Sequence, residues 1–312
     1  MQRFEHSFTA MGGPCRLRLD CIHTDTAQAA VRAAEAEVRR LERKYSRYLP
    51  DSLTSKINHL AGSKSPVAID AETAGLLHHA QTLWQESDGR FDLTSGVLRR
   101  AWDFKSSRLP SQSEIDALLP LIAWDAVEWD DAQLRLPQAG MELDFGGCVK
   151  EYACDSALGV LGKHGIEHAL VDLAGDIAAF GGQVPHSNAD GVYAMDDGAT
   201  TPWQIGIRDP VGGEQPIAYV PLINGGLASS GNYERYMEVD GRRYGHILDP
   251  KTGWPVQGLA AVSIVAEQCL VAGSAATLAL LMPETEALAW LKDLGLPWLA
   301  VDARAGTHGP VA

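Results

Sequence analysis

Apolar residues recur at three- and four-residue steps from Thr24 onward, at Ala27, Val31, Ala34, Val38, Leu41, Tyr45 and Tyr48. That spacing predicts a helix with one buried stripe, and Thr24, Asp25 or Thr26 is suited to cap its start. Pro50-Asp51-Ser52 reads as a turn. A second helix is expected over Ala71 to Glu86, with Leu76, Leu77, Ala80, Leu83 and Trp84 inward, ending before Asp88-Gly89. Further on, the pattern predicts a helix from about Gly147 to His164, a strand near Ala169 to Phe180 and another over Thr201 to Arg208. Tyr236 to Tyr244 reads as a hairpin, with Asp240-Gly241 at its turn. An Ala- and Leu-rich helix follows at about Gln268 to Met282, and Gly182 to Thr201 has the polar, Gly- and Asn-containing character of a surface loop. Strands and helices mix without a regular βαβ rhythm and without internal repeats, so the expected class is α+β.

Composition narrows the function classes. Apolar residues make up 46% and charged residues 21%, the profile of a globular chain. The formal net charge of −14 argues against nucleic acid or an anionic membrane as a partner, since both require a cationic face. No apolar stretch reaches bilayer length, so no membrane span is expected. The five cysteines (Cys15, Cys21, Cys148, Cys154, Cys269) show no C-x-x-C spacing, which fits reduced thiols and a cytoplasmic location. The N-terminus lacks a secretory pattern, and a periplasmic location follows only if an export signal has been removed.

Polar and glycine residues gather in five segments where a plain core would want apolar ones. They are Met11-Gly12-Gly13; Tyr45 to Ser52; Gly89-Arg90-Phe91-Asp92-Leu93-Thr94-Ser95-Gly96; Leu143 to Asp155; and Ala228-Ser229-Ser230-Gly231-Asn232-Tyr233 with Gly245-His246-Ile247-Leu248-Asp249-Pro250-Lys251-Thr252-Gly253. In the fourth, a strand ending in Gly146-Gly147 enters a helix, and free N–H groups at such a start suit a phosphate or a flavin edge; a tight turn alone also explains it. His246 is suited to acid or base work near neutral pH, although an isolated histidine is more often structural.

The order and internal spacing of these segments resemble the ApbE family of FAD:protein FMN transferases. Its members carry M-G-T, S-x-y-x-P-D-S, G-x-F-D-x-T-x-G, D-x-G-G-x-x-K-G-y-a-x-D, S-G-x-Y and S-H-I-x-D-P-x-T-G. The resemblance runs from Met11 to about Met282. It implies a single ApbE-like, T-fold-related α+β domain over residues 1–312, with mixed or antiparallel sheets and flanking helices. It further implies FAD as substrate and Mg2+ as cofactor. The FMN half would pass to a Thr or Ser hydroxyl of an acceptor flavoprotein with a Ser/Thr-Gly-Ala-Ser/Thr site, and AMP would be released.

By the same resemblance Met11, Tyr48, Arg90, Phe91, Asp92, Asp144, Lys150 and Ile247 would lie along FAD; Ser229 and Ser230 would donate to its phosphates, or simply make an ordinary turn before Gly231. Tyr48 would form an aromatic wall, or simply the last rung of the first helix. Asp92 and Asp144 would orient flavin or ribose groups, or cap a turn or helix. His246 would activate the acceptor hydroxyl or orient phosphate, and Asp249 would hold its imidazole or open the turn before Pro250. The metal would take Thr277 and the Gly147 carbonyl.

The chain departs from the family pattern at four positions. Gly273 stands where the family has the metal-ligand Asp, four residues before Thr277. Gly13 replaces Thr after Met-Gly, Glu151 replaces the Gly after Lys150, and Gly245 replaces the Ser before His246. With no carboxylate at position 273, three activities are compatible with the sequence: FMN transfer with an altered metal site that recruits Glu267 or another acid, FAD binding without turnover, and hydrolysis of FAD to FMN and AMP. A carboxylate at position 151 would repel a bound phosphate unless it points away.

Overall fold

The computed structural model describes residues 1–106, 108–184, 200–210, 212–213, 215–233 and 235–311. Most of the loop expected over Gly182 to Thr201 lies outside them.

The chain opens with strands β1 (Gln2–Ala10) and β2 (Gly13–Cys21), then helix α1 (Thr24–Tyr45). Helix α2 (Leu53–His59), the two-residue strand β3 (Val67–Ala68) and helix α3 (Ala71–Glu86) follow. A 3-10 segment (Leu93–Arg100), helix α4 (Gln112–Asp116), and strands β4 (Glu128–Trp129) and β5 (Gln133–Arg135) lead to helix α5 (Val149–Lys163). Seven strands come next: β6 (His168–Leu173), β7 (Asp176–Phe180), β8 (Trp203–Ile207), β9 (Ala218–Leu222), β10 (Gly225–Gly231), β11 (Tyr236–Val239) and β12 (Arg242–Gly245). The chain closes with β13 (Ala261–Ala266), helices α6 (Cys269–Leu281) and α7 (Glu284–Asp293), β14 (Trp298–Val301) and β15 (Thr307–His308).

One antiparallel sheet organises the molecule, in the order β1-β2-β6-β7-β10-β13-β14-β15. Its side chains alternate with the two-residue period of a strand. Ala169, Val171 and Leu173 of β6, with Val262 and Ile264 of β13, face a large core beneath α1, α5 and α6. Leu170, Ile177, Leu227 and Ala261 face the other way, onto the β8–β9 ribbon with Trp203, Ile205 and Val220. Covering both faces leaves little apolar sheet surface in water, and the α+β expectation is met.

Several expectations need adjusting. α1 begins at Thr24 with His23 in the cap position and no side-chain cap bond. Its stripe ends at Tyr45, and Tyr48 lies past the helix at 75% exposure. The strand expected over Ala169 to Phe180 is two strands joined at Ala174 and Gly175, both at positive φ (55° and 96°). The Asp240-Gly241 hairpin forms as expected, with φ of 51° and 74°. The β1–β2 hairpin was not foreseen, although Cys15, Leu17 and Leu19 alternating with Arg16, Arg18 and Asp20 are its signal. Met11 (φ 53°) and Gly12 (φ 77°) form its two-residue turn, whose positive φ values match the twist of the strands.

Candidate functional site

The start of α5 and the length of α6 lie side by side, and the register between them is explicit. Asp155 accepts the Cys269 and Leu270 N–H groups, each at 2.9 Å, and so ties α5 to the first turn of α6. One turn back along α5 is Glu151, and one turn forward along α6 is Gly273. A Cβ built on Gly273 would lie 2.4 Å from Glu151 Cγ and 2.9 Å from Oε1. The Glu151 side chain therefore fills the volume that a side chain at 273 would need. It is 7% exposed, and its Oε2 has no hydrogen-bond partner. The carboxylate points into the α5–α6 seam.

Beside it, Lys150 Nζ forms an ion pair with Asp176 Oδ2 at 2.7 Å. Burial pushes the Lys150 ammonium down, but Asp176 and Glu151 more than offset this, and its pKa ends raised. Burial raises the Asp176 carboxyl against the pull of Lys150. It also raises Glu151 well above the usual carboxylate range, with Asp176 adding to the shift and Lys150 opposing it. Across the seam, Thr277 Oγ1 and Ser230 Oγ are 3.0 Å apart, and Ser229 Oγ meets Ser263 Oγ at 2.7 Å. Hydroxyls, carboxylates and one ammonium thus converge from α5, α6, β7 and β10.

The preceding turn carries Asp144, whose carboxylate pairs with Arg47 at 2.6 Å and accepts the Gly146 N–H at 2.9 Å. Arg47 also stacks on Tyr48, 5.2 Å from the ring centroid. A Cβ on Gly147 would come within 3.1 Å of the buried Phe91 ring, so this turn sits directly on the third motif. Asp92 is committed locally: it accepts the Thr94 N–H (2.7 Å) and hydroxyl (2.6 Å), capping the 3-10 segment, and burial raises its pKa. Arg90 pairs with Glu286 of α7 at 2.6 Å. The Met11 N–H donates to Glu42 Oε1 at 2.7 Å.

His246 ends the β11–β12 hairpin region. Its Nδ1 lies 3.1 Å from the Arg235 carbonyl, which can only accept, so Nδ1 carries a proton. Asp249 instead accepts the Lys251 N–H at 2.8 Å, and its carbonyl accepts the Gly253 N–H at 2.7 Å, which makes it the opener of the Asp-Pro-Lys-Thr-Gly turn. That turn is anchored by the Trp102 indole N–H on the Gly253 carbonyl (2.8 Å) and by Lys251 on Asp88 (2.7 Å). The Ile247 N–H reaches Asn232 Oδ1 at 3.4 Å.

Three departures from the family pattern share one geometric feature. A Cβ at Gly13 would meet Ala174 Cβ at 2.6 Å, one at Gly245 would meet Asn232 Oδ1 at 2.6 Å, and one at Gly273 would meet Glu151. Each glycine faces a neighbour that already fills its space, and only at 273 does that neighbour carry a carboxylate. Four participants escaped sequence reasoning as site residues: Glu151, Asp176, Arg47 and Asp155. Arg47, Glu151 and Asp155 sat inside recognised motifs, while nothing in the sequence marked Asp176. Among the described residues no group of three or more His, Cys, Asp and Glu side chains converges as a self-sufficient metal cage.

A family model described as the ApbE family matches residues 11–299. The FAD:protein FMN transferase of Treponema pallidum is 29% identical over 308 residues, covering 94% of this chain and 82% of that protein. The FAD:protein FMN transferase of Haemophilus influenzae is 30% identical over 278 residues, covering 85% and 76%. The crystal structure of the ApbE protein from Thermotoga maritima matches with a TM-score of 0.85 at 30% identity, over 99% of this chain and 97% of that one. The apo form of the Pseudomonas stutzeri flavinyl transferase ApbE matches with a TM-score of 0.81 at 28% identity, over 99% and 94%.

Proposed function

The chain belongs to the ApbE family, and from that premise we propose that it is an FAD:protein FMN transferase. In this reading FAD is the donor, a Thr or Ser hydroxyl of an acceptor flavoprotein is the nucleophile, and AMP leaves. The observation that carries it is the convergence of Lys150, Ser230 and Thr277 at the start of α5, where motif segments far apart in sequence meet. A helix start with an ammonium and two hydroxyls suits the pyrophosphate of a dinucleotide.

The acceptor oxygen attacks the FMN phosphorus, a P–O bond forms, and the bond to the AMP phosphate breaks. His246 takes the acceptor's proton, and its Nδ1 contact to the Arg235 carbonyl orients the ring for that role. Lys150 counters charge on the phosphoryl oxygens, and Asp176 holds that ammonium in place. Gly147 packs directly on the Phe91 ring, which fixes the turn that enters α5.

The residues present fit Mg2+: a hydroxyl (Thr277), a backbone carbonyl (Gly147) and a buried, unpartnered carboxylate oxygen are hard donors of the kind this ion takes alongside substrate phosphates. When bound, the ion would neutralise charge building on the phosphoryl oxygens.

Incubating the protein with FAD, Mg2+ and a peptide carrying a Ser/Thr-Gly-Ala-Ser/Thr core, then weighing the peptide intact, tests the assignment. A mass gain equal to FMN in phosphoester linkage is expected, and His246→Ala should slow its appearance by roughly 10²–10⁴-fold. FAD bound without any transfer to acceptor would refute it.

A further inference from the structure

We propose that Glu151 is the metal-binding carboxylate of this chain, reaching from α5 into the position that Gly273 leaves open on α6. The proposal rests on the FMN-transfer reading for the nature of the ligand, a divalent cation beside phosphates. It does not rest on that reading for its geometry.

Three observations carry it. First, the carboxylate stands where a side chain at 273 would stand: the Cβ position of residue 273 is 2.4 Å from Glu151 Cγ, 2.9 Å from Oε1 and 3.0 Å from Cδ. The two sequence departures, a carboxyl group lost at 273 and one gained at 151, are therefore a single exchange that keeps one carboxyl group at one place. Second, Glu151 is 7% exposed and its Oε2 has no hydrogen-bond partner. Buried polar atoms are almost always satisfied, and an orphaned carboxylate oxygen points to a cation. The neighbouring ammonium of Lys150 does not play that part, because it is ion-paired with Asp176 at 2.7 Å.

Third, the register between the helices extends the donor set. Asp155 binds the N–H groups of Cys269 and Leu270. Glu151 lies against Gly273 one turn further along; Thr277 is the next turn of α6, and Gly147 lies in the turn that enters α5. Carboxylate, backbone carbonyl and hydroxyl then follow one seam. A single protein carboxylate with neutral oxygens suits Mg2+, which fills its remaining positions with water and phosphate oxygens.

A packing role for Glu151 and a ligand role are separated by metal binding measured directly. Mn2+ serves as the probe: the free ion is titrated into chelator-treated full-length protein with FAD present and read by its EPR signal, and folding of each variant is checked by circular dichroism. Glu151→Gln keeps the shape and removes the charge, and should weaken Mn2+ binding by more than about tenfold. Glu151→Gly should do the same. The exchange variant E151G/G273D should bring binding back to within roughly threefold of the natural chain, since the carboxylate returns from the opposite helix.

Mn2+ affinity unchanged in both Glu151→Gln and Glu151→Gly would overturn the proposal. So would a folded exchange variant that binds no better than Glu151→Gly. If the natural chain binds Mn2+ through position 151 yet equilibrium dialysis shows no FAD affinity, the transfer reading falls while the metal site stands. If FAD binds and Mn2+ ignores position 151, only this inference falls.

Discussion

The two faces of α5 treat carboxylates in opposite ways. On one face Tyr152 and Ser156 reach a network shared with α1 and α3. The Tyr152 hydroxyl donates to Glu72 (3.2 Å) and Ser156 to Glu37 (2.7 Å). Arg40 bridges Glu37 and Glu72, and Lys44 joins Glu72 to Asp70. One residue earlier in each turn, Glu151 and Asp155 face α6. There Glu151 and Asp176 are more deeply buried, and the Lys150 ammonium is ion-paired with Asp176 while Glu151 Oε2 has no hydrogen-bond partner. Paired acids in the first network sit at depressed pKa values: Glu72 is lowered to about 2, chiefly by its bonds to Arg40. The acids facing α6 are raised by burial. A network whose charges are matched is a structural fastening. One with a carboxylate oxygen left over has room for a cation, and this is the basis for placing the proposed site on the α6 face and not on the more charged α1–α3 face.

Removing the one cation of the α6 face should have the largest effect. Lys150→Met leaves Asp176 and Glu151 buried together without a counter-charge and should cost about 3 kcal/mol in urea unfolding; a loss below roughly 1 kcal/mol would mean that this face is not charge-limited.

Gly273→Asp alone should cost somewhat less, about 2 kcal/mol, because its Cβ is driven onto Glu151 Cγ and a second carboxylate enters the same space. Adding Glu151→Gly should recover most of that, and additive losses would show that the two positions do not share a volume.

Asp155→Ala removes the acceptor for two N–H groups at the start of α6 and should lower stability by about 1 kcal/mol. It should also weaken Mn2+ binding, since it frees the register that sets Glu151 against Gly273. Stability loss with Mn2+ affinity intact would separate the cap from the site.

The smallest effect belongs to the paired face and appears only in acid. Glu72 has a folded pKa below its unfolded one, so its contribution is present above about pH 4.5 and is lost as pH falls toward about 2. Glu72→Gln should therefore flatten the fall in melting temperature across that interval, by only on the order of 1–2 °C because the group is largely solvent-screened. An equally steep fall in the variant would assign the acid sensitivity elsewhere.

Local signals were read well where one element's own chemistry sufficed. Ala71 to Glu86 is helical with Asp70 as its cap, Asp240-Gly241 turns the hairpin, and the motif order led to the α5–α6 region. The reading failed where a distant neighbour decides. Ala174 takes a positive φ beside Gly175, with its N–H on the Pro14 carbonyl of β2, and so divides one expected strand into two. Tyr48 continues the α1 periodicity on paper, yet Ser46 ends the helix and the tyrosine stacks on Arg47 in solvent. His246 and Asp249 sit close in sequence, but backbone groups hold each of them separately.

By itself the sequence determined the class of elements, the family to which the motifs belong, and the kind of donors available for a phosphate and a hard cation. It also showed that position 273 has no carboxylate and that position 151 has an extra one. Only the tertiary structure decided that these are one fact. Side-chain periodicity specifies which residues share a face of a helix, but not which residue of another helix stands opposite. That depends on how α5 and α6 pack over the sheet, and Asp155 fixes it by binding the first N–H groups of α6.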